Sequence, residues 1–256
     1  MTGSAARIAG VGLTAFTTPK RTAPYTELAV EAGGAALADA GLTYADVQQV
    51  YAGYVYGDSA SGQRAAYGLG LTGVPVINVN NNCSTGSTAL FLARQAVEGG
   101  GADCVLALGF EQMPAGAITE AYDDRPSPLD PFLQVATARY GDSDAPLALR
   151  LFGGAGREYA ARYGASKETF ARVTVKARAH AARNPKAVFR EPVTVEEVLA
   201  SPALYQPLTR LQCCPPTCGA AAAVVVSEAF AARRGLKADV ALRAQAMTTD
   251  IPASFG

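Results

Sequence analysis

The segment Asn78-Val79-Asn80-Asn81-Asn82-Cys83-Ser84-Thr85-Gly86-Ser87 carries the sharpest chemical signal in the chain. It lies between an apolar, β-like run (VPVINV, 74–79) and a stretch, 84–97, in which Ala89, Leu90, Leu92, Ala93 and Val97 recur at helical spacing. Cys83 is therefore expected at a helix start. There the helix dipole and unpaired N–H groups favour an anion, which lowers a thiol below its free value of about 8.5 and supplies thiolate near neutrality. The small residues Ser84, Thr85, Gly86 and Ser87 leave room for a bulky acyl chain, and an N–H of the turn could hold an oxyanion. The plainer alternative is a small, buried cysteine packed at a helix start.

Other chemical motifs are weaker. Gly68-Leu69-Gly70-Leu71-Thr72-Gly73 has the glycine spacing of a dinucleotide fingerprint, but a strand follows it where that motif requires a helix. Gly153-Gly154-Ala155-Gly156 precedes a helix without the Lys-Ser or Lys-Thr of a phosphate-binding loop, so a turn or close packing is expected. Cys213, Cys214 and Cys218 fall close together, yet zinc wants four ligands and the single histidine, His180, is distant in sequence, so no metal is expected. His180 could serve Cys83 as a base, since such partners meet in space, but it sits among Lys176, Arg178, Arg183 and Lys186, where a solvated histidine is the ordinary reading.

The elements that must position these residues alternate. A strand over 7–13, a helix over 25–40 closed by Gly41, a strand over 47–56, a helix over 61–71 and the strand and helix around Cys83 lead to CVLALGF (104–110), an apolar run of the buried parallel kind. Strands alternating with helices imply an α/β fold. Pro114 to Pro207 breaks the pattern, with helices expected over 148–163 and 167–182 and no strong strand. AAAAVVVS (220–227) then restores a central strand, followed by a helix capped by Gly235 and another strand opening at Val240. The expected organisation is an α/β domain over 1–113, an inserted helical lobe over 114–207, a return over 208–239, and over 240–256 the first strand of a further domain.

With 256 residues, 49% of them apolar, the chain can bury a substantial core. Its 22 basic and 22 acidic residues cancel, which leaves no field suited to a nucleic-acid backbone or an anionic membrane surface. No run reaches the ~20 apolar residues of a membrane span, and residues 1–7 lack the pattern of a signal peptide, so a cytoplasmic location is expected. Five irregularly spaced cysteines argue for reduced thiols rather than a disulfide framework.

Together these residues resemble the thiolase superfamily, and within it the sterol-carrier-protein-2 or lipid-transfer type. GYVYGDS (53–59), INVNNNCSTGSTA (77–89), CVLALGFE (104–111), Gln212-Cys213-Cys214-Pro215 with 219–223, and Met247 to Pro252 carry the match. The resemblance implies an α/β half with a five-stranded, mixed, mostly parallel sheet between helices, plus an inserted, mainly helical loop domain. It further implies that the C-terminal half is absent here. The implied reaction is thiolytic cleavage of a 3-ketoacyl-CoA, or the reverse condensation, on lipid or sterol side-chain CoA esters, with Cys83 matching the acyl-accepting nucleophile. Met113, His180, Arg183, Lys186 and Cys214 would contact the substrate, and coenzyme A is a substrate rather than a bound cofactor.

The family's general-base histidine, second acid–base cysteine and further oxyanion donors belong to its second half, and nothing after Ile251 supplies them in this sequence. Cys218 stands where an aspartate is expected before the returning strand. The same resemblance leaves two other readings open. One is a steroid side-chain CoA aldolase assisted by a small partner protein; the other is a non-catalytic, truncated subunit. Family pairing through the edge beside the nucleophile makes 74–79 a candidate contact in a homodimer or tetramer.

Overall fold

The computed structural model describes residues 5–116, 122 and 124–251. They fall into two compact units, one of 5–113 with 217–247 and the other of 114–216 with 248–251.

The first unit opens with β1 (Ala6–Leu13), α1 (Tyr25–Ala40), β2 (Gln49–Gly53), α2 (Ser61–Ala66), β3 (Val76–Val79), α3 (Thr85–Glu98) and β4 (Cys104–Glu111). The second consists of α4 (Asp130–Tyr140), α5 (Leu147–Tyr163), α6 (Lys167–Ala181), α7 (Val195–Ala200) and a hairpin of β5 (Ala203–Tyr205) and β6 (Leu208–Thr209). The chain then returns to the first unit with β7 (Gly219–Ser227), α8 (Glu228–Arg234) and β8 (Val240–Ala241).

The sheet is mixed, in the order β3-β2-β4-β7-β1-β8. β3, β2 and β4 are parallel neighbours, β7 runs against both β4 and β1, and β8 runs against β1. Four of the six strands thus point one way. The sheet has one strand more than expected, because β8 adds two residues to the outer edge of β1. The strand expected to open at Val240 ends already at Ala241, and α2 ends at Ala66, short of the expected 71, because Gly68, Gly70 and Gly73 follow it.

The core lies on both faces of this sheet. Cys104, Leu106, Leu108 and Phe110 of β4 join Val224 and Val226 of β7 against α1, while Val105, Ala107 and Val225 face Ala93 and Val97 of α3. Leu106 and Leu108 are fully buried, each contributing about 1.5–3 kcal/mol. α1 buries its small-residue stripe, Ala29, Ala32, Ala36 and Ala40, and approaches β1 so closely that a Cβ at Gly12 would stand 2.0 Å from the carbonyl oxygen of Ala32. The helix stops at Gly41, which takes the left-handed conformation at φ 66°.

In the second unit α5 and α6 match the expected helices within a residue or two, whereas α4, α7 and the hairpin were not expected. α4 begins at Asp130-Pro131 and buries only Ala136, so its apolar stripe is too thin to read. Among the described residues no helix is long and apolar enough to cross a membrane.

Candidate active site

Cys83 is exposed and stands two residues before α3, in a tight turn leaving the C-terminal end of β3. Asn82 takes the left-handed conformation at φ 47°, which asparagine tolerates better than other non-glycine residues. The neighbouring side chains hold this turn. Thr85 Oγ1 accepts from the Asn81 amide at 2.8 Å and donates to the Asn82 carbonyl at 2.6 Å. The amide and the hydroxyl of Ser84 both donate to the Asn81 carbonyl, at 3.2 and 2.8 Å. Asn80 accepts from the Asn82 amide, and the Asn81 side chain donates to Thr88 at 3.2 Å. The amides of Ser84 and Thr85 are engaged by the carbonyls of Asn81 and Asn82, so these two are not the oxyanion donors expected of the turn.

Glycine in β2 lets the first turn of α3 sit against the sheet. A Cβ at Gly53 would lie 2.8 Å from Thr85 Cγ2 and 2.9 Å from the Thr85 carbonyl oxygen, and Thr85 is itself buried. Gly53 pairs with Val79 on one side and Gly109 on the other, so the chain ends leaving β3, β2 and β4 diverge from one place.

At that place β4 closes on Glu111. Its carboxylate accepts from the amides of Val55 at 2.9 Å, Tyr56 at 3.3 Å and Gln112 at 3.2 Å. Burial pushes the Glu111 carboxyl above the usual carboxylate range, and the three amides oppose that shift. Burial likewise raises the Tyr56 phenol, with the charges of Glu111 and Cys83 adding to it. Beneath this layer Tyr54 and Tyr25 stack on Phe110, at centroid distances of 5.2 and 5.1 Å.

Met113 is half-buried in the same unit. Its amide donates to Cys218 Sγ at 3.2 Å, and its thioether accepts from the Thr217 amide at 3.5 Å. Cys218 is buried and pairs by its backbone with Thr17, so the residue replacing the expected aspartate is a packed thiol tying 113 to 218. The Asn81 side chain also reaches the thioether of Met247, at 3.9 Å.

The remaining expected contacts belong to the second unit. His180 and Arg183 are exposed at the end of α6 and in the turn after it, and Lys186 follows, partly buried. α6 packs against the turn Arg210–Gln212, beyond which Cys214 is exposed and Cys213 donates to the Thr209 carbonyl. Burial, then the charge of Cys214, raises the Cys213 thiol. The structure thus gathers Cys83 and Met113 into one unit and His180, Arg183, Lys186 and Cys214 into the other. All five cysteines are free, and among the described residues no cluster of three or more His, Cys, Asp or Glu could hold a metal.

Sequence reasoning read Thr85 only as a small residue leaving room beside Cys83, and gave no role to Tyr56 or Glu111. A signal existed for the last, since a lone acid ending the apolar run CVLALGF is costly unless something holds it.

Comparison with known proteins agrees with this architecture. Residues 5–229 match the family described as "Thiolase, N-terminal domain". Sterol carrier protein 2 of Gallus gallus is 50% identical over 251 residues, which cover 97% of this chain and 46% of that protein. The chain therefore spans about half the length of the curated relatives it matches. Among solved structures, an Ltp2-ChsH2(DUF35) aldolase superposes with a TM-score of 0.72 at 30% identity, over 93% of this chain and 59% of that one. Human mitochondrial 3-ketoacyl-CoA thiolase in complex with CoA has a TM-score of 0.69 at 15% identity, over 92% and 68%, which establishes a shared fold.

Proposed function

The chain belongs to the thiolase family, on its lipid-transfer side, and from that premise we propose that it carries the nucleophile of an acyltransferase acting on 3-ketoacyl-CoA esters of lipid or sterol side chains. One observation supports this most: the exposed Cys83 thiol, set in a braced turn at the C-terminal end of a parallel strand and just ahead of a helix.

In this reading the Cys83 thiolate adds to the keto carbon, the C2–C3 bond breaks, and its electron pair leaves on the acetyl-CoA enolate, which takes a proton at C2. The acyl-cysteine thioester is then attacked by the thiol of free coenzyme A, which returns Cys83 and releases a shortened acyl-CoA. Met113, His180, Arg183, Lys186 and Cys214 contact the CoA ester. Residues 114–207 form the inserted loop domain, two copies pair along β3, and the protein works in the cytoplasm. In the family the groups that move protons to and from the enolate belong to a second half, and this chain covers 46% of the length of its Gallus gallus relative.

The test is intact-mass analysis of the full-length protein mixed with acetoacetyl-CoA. An acetyl adduct on Cys83, lost in Cys83→Ala while the fold persists, is the expected result; an adduct that survives that substitution overturns the assignment.

A second reading is favoured by the 30% identity to the Ltp2-ChsH2 aldolase, whose name joins two proteins. A retro-aldol cleavage of a 3-hydroxyacyl-CoA, assisted by a partner protein, needs no acyl-cysteine. Release of a ketone and a shorter CoA ester from a 3-hydroxyacyl-CoA, undiminished in Cys83→Ala, would select it over thiolysis.

A further inference from the structure

The charges of the chain cancel over its whole length but not within the second unit, where residues 157–190 carry nine Lys or Arg against two Glu. The helices of this segment also leave apolar side chains outside. α5 buries Arg150, Gly153 and Gly154, so the side turned away from them carries Phe152, Tyr159 and Tyr163, spaced by seven and four residues along one stripe. Phe152 is 71% exposed, Tyr159 50% and Tyr163 61%. The Tyr159 ring lies 4.9 Å from that of Tyr163 and makes an edge contact with the Phe170 ring at 6.3 Å, which carries the stripe across to α6. There Val173, 64% exposed, stands one turn from Phe170. Cations frame the patch: the Arg162 guanidinium sits 5.3 Å from the centre of the Tyr163 ring, Lys167 is one turn before Phe170, and Lys176 is one turn after Val173. The acids nearby are engaged elsewhere, since Glu158 pairs with Arg139 at 3.2 Å, and Glu168 and Glu196 both feel the charge of Arg172. Among the described residues Arg162, Lys167 and Lys176 enter no salt bridge.

We propose that this face of the second unit docks on an anionic phospholipid bilayer, with Phe152, Tyr159, Tyr163 and Val173 entering the headgroup layer and the framing cations on the lipid phosphates. Docking of this kind is independent of the reaction at Cys83. A tyrosine carries an apolar ring and a polar tip, which suits it to the level of the headgroups rather than to the hydrocarbon or to bulk water. Lys and Arg lay their stems along apolar surface while their charged ends reach outward to the phosphates. An anionic leaflet attracts each such cation enough to tighten binding about fivefold, and several act together. Exposed apolar side chains scattered singly need no explanation, whereas these four are joined by ring contacts and helical spacing and framed by one sign of charge. The cancelling totals that argue against a membrane surface average over both units, but a bilayer meets a single face.

The test is co-sedimentation of the full-length protein with vesicles of phosphatidylcholine alone and of equal parts phosphatidylcholine and phosphatidylglycerol. Binding to the mixed vesicles that falls as salt rises, and little or none to phosphatidylcholine, is the expected result. Arg162→Gln, Lys167→Gln and Lys176→Gln together should weaken it about a hundredfold. Phe152→Ser with Val173→Ser should weaken it about tenfold or more. Lys20→Gln, Arg21→Gln and Arg64→Gln together remove the same charge from the first unit and should leave binding within about twofold of the parent. All of these side chains are exposed, and urea unfolding of each variant checks that its fold is intact. A parent protein that does not sediment with the mixed vesicles overturns the proposal, as does a patch triple variant that binds no more weakly than the first-unit variant. Parental binding by the Phe152, Val173 variant would reduce the contact to diffuse charge and overturn the seating. Equally tight binding to a single-stranded oligonucleotide would make the patch a general polyanion site. Binding abolished by coenzyme A at constant ionic strength would move the lipid phosphate to His180, Arg183 and Lys186; either outcome overturns the bilayer as occupant of this face.

Discussion

Thr85→Val is the most revealing change in the Cys83 turn, because it keeps the side-chain volume and removes one oxygen. That oxygen accepts from the Asn81 amide at 2.8 Å and donates to the Asn82 carbonyl at 2.6 Å, bracing a residue at φ 47°. The methyl that meets Gly53 is retained, so packing against β2 is unchanged. Leaving a part-buried amide unsatisfied costs about 1–3 kcal/mol, and Asn82 loses one of the contacts that offset its left-handed conformation. The expected loss is about 2 kcal/mol. With a urea slope of about 2 kcal/mol per molar, it moves the unfolding midpoint of the sheet unit down by about 1 M. If the turn also shifts, acylation of Cys83 falls about tenfold or more among molecules that remain folded, since displacements below 1 Å already cost rate. Thr85→Ser, which keeps the oxygen, should recover most of both. A Thr85→Val protein with parental midpoint and acylation rate would refute the bracing role, and a Thr85→Ser protein as impaired as Thr85→Val would assign the effect to packing instead.

Three further outcomes are expected. Under native conditions iodoacetamide should label Cys83 and Cys214 first and spare Cys104 and Cys218, which are buried; burial and the charges of Asp46 and Asp103 push the Cys104 thiol up to about 12, so peptide mapping should find it modified only after unfolding. Gly53→Ala drives a Cβ into Thr85 at 2.8 Å and should cost about 1–3 kcal/mol in urea unfolding, whereas Gly109→Ala meets Gly86 Cα at an ordinary 3.4 Å and should cost less. Ser227 caps α8 by accepting from the Phe230 amide at 3.0 Å, and its hydroxyl, with Arg233 second, holds the Asp103 carboxyl below the usual range. Ser227→Ala should cost about 1 kcal/mol near neutrality. A carboxyl depressed in the folded state adds stability that is present above its unfolded value of about 3.9 and is lost as pH falls through the lower folded value, so acid titration of the variant should show a shallower loss there.

What could be read from sequence was what local pattern determines. The strand, turn and helix around Cys83 were legible because apolar spacing changes period across the asparagines, and α1 because the helical spacing of Leu28, Ala32, Ala36 and Leu37 and the closing Gly41 are both local. The direction of β7 was not. GAAAAVVVS is buried on both faces, and a run buried on both faces reads alike whether its neighbours are parallel or antiparallel. Its partners, β1 and β4, lie more than a hundred residues upstream. The roles of Thr85 and Glu111 were illegible for the same reason. Thr85 reads as one more small residue of the turn, and the partners of Glu111, Val55 and Tyr56, are 56 and 55 residues away.

The strand directions explain why the candidate chemistry gathers at one end of the strands. In a parallel trio every C-terminal end faces the same way, so β3, β2 and β4 deliver Cys83, Tyr56 and Glu111 to one place, although 55 residues separate the last two. β7 opposes β4 with Gly219 facing Glu111, so it starts where β4 ends and brings Cys218, just ahead of its N-terminal end, to the same end of the sheet. There the thiol of Cys218 takes up the Met113 amide, fixing the backbone just beyond Glu111. Cys218→Ala should therefore disturb Met113 more than Cys83. Faster amide exchange at Met113, with an unchanged rate of Cys83 acylation, is the expected pattern; the reverse would mean that the buried thiol supports the nucleophile directly.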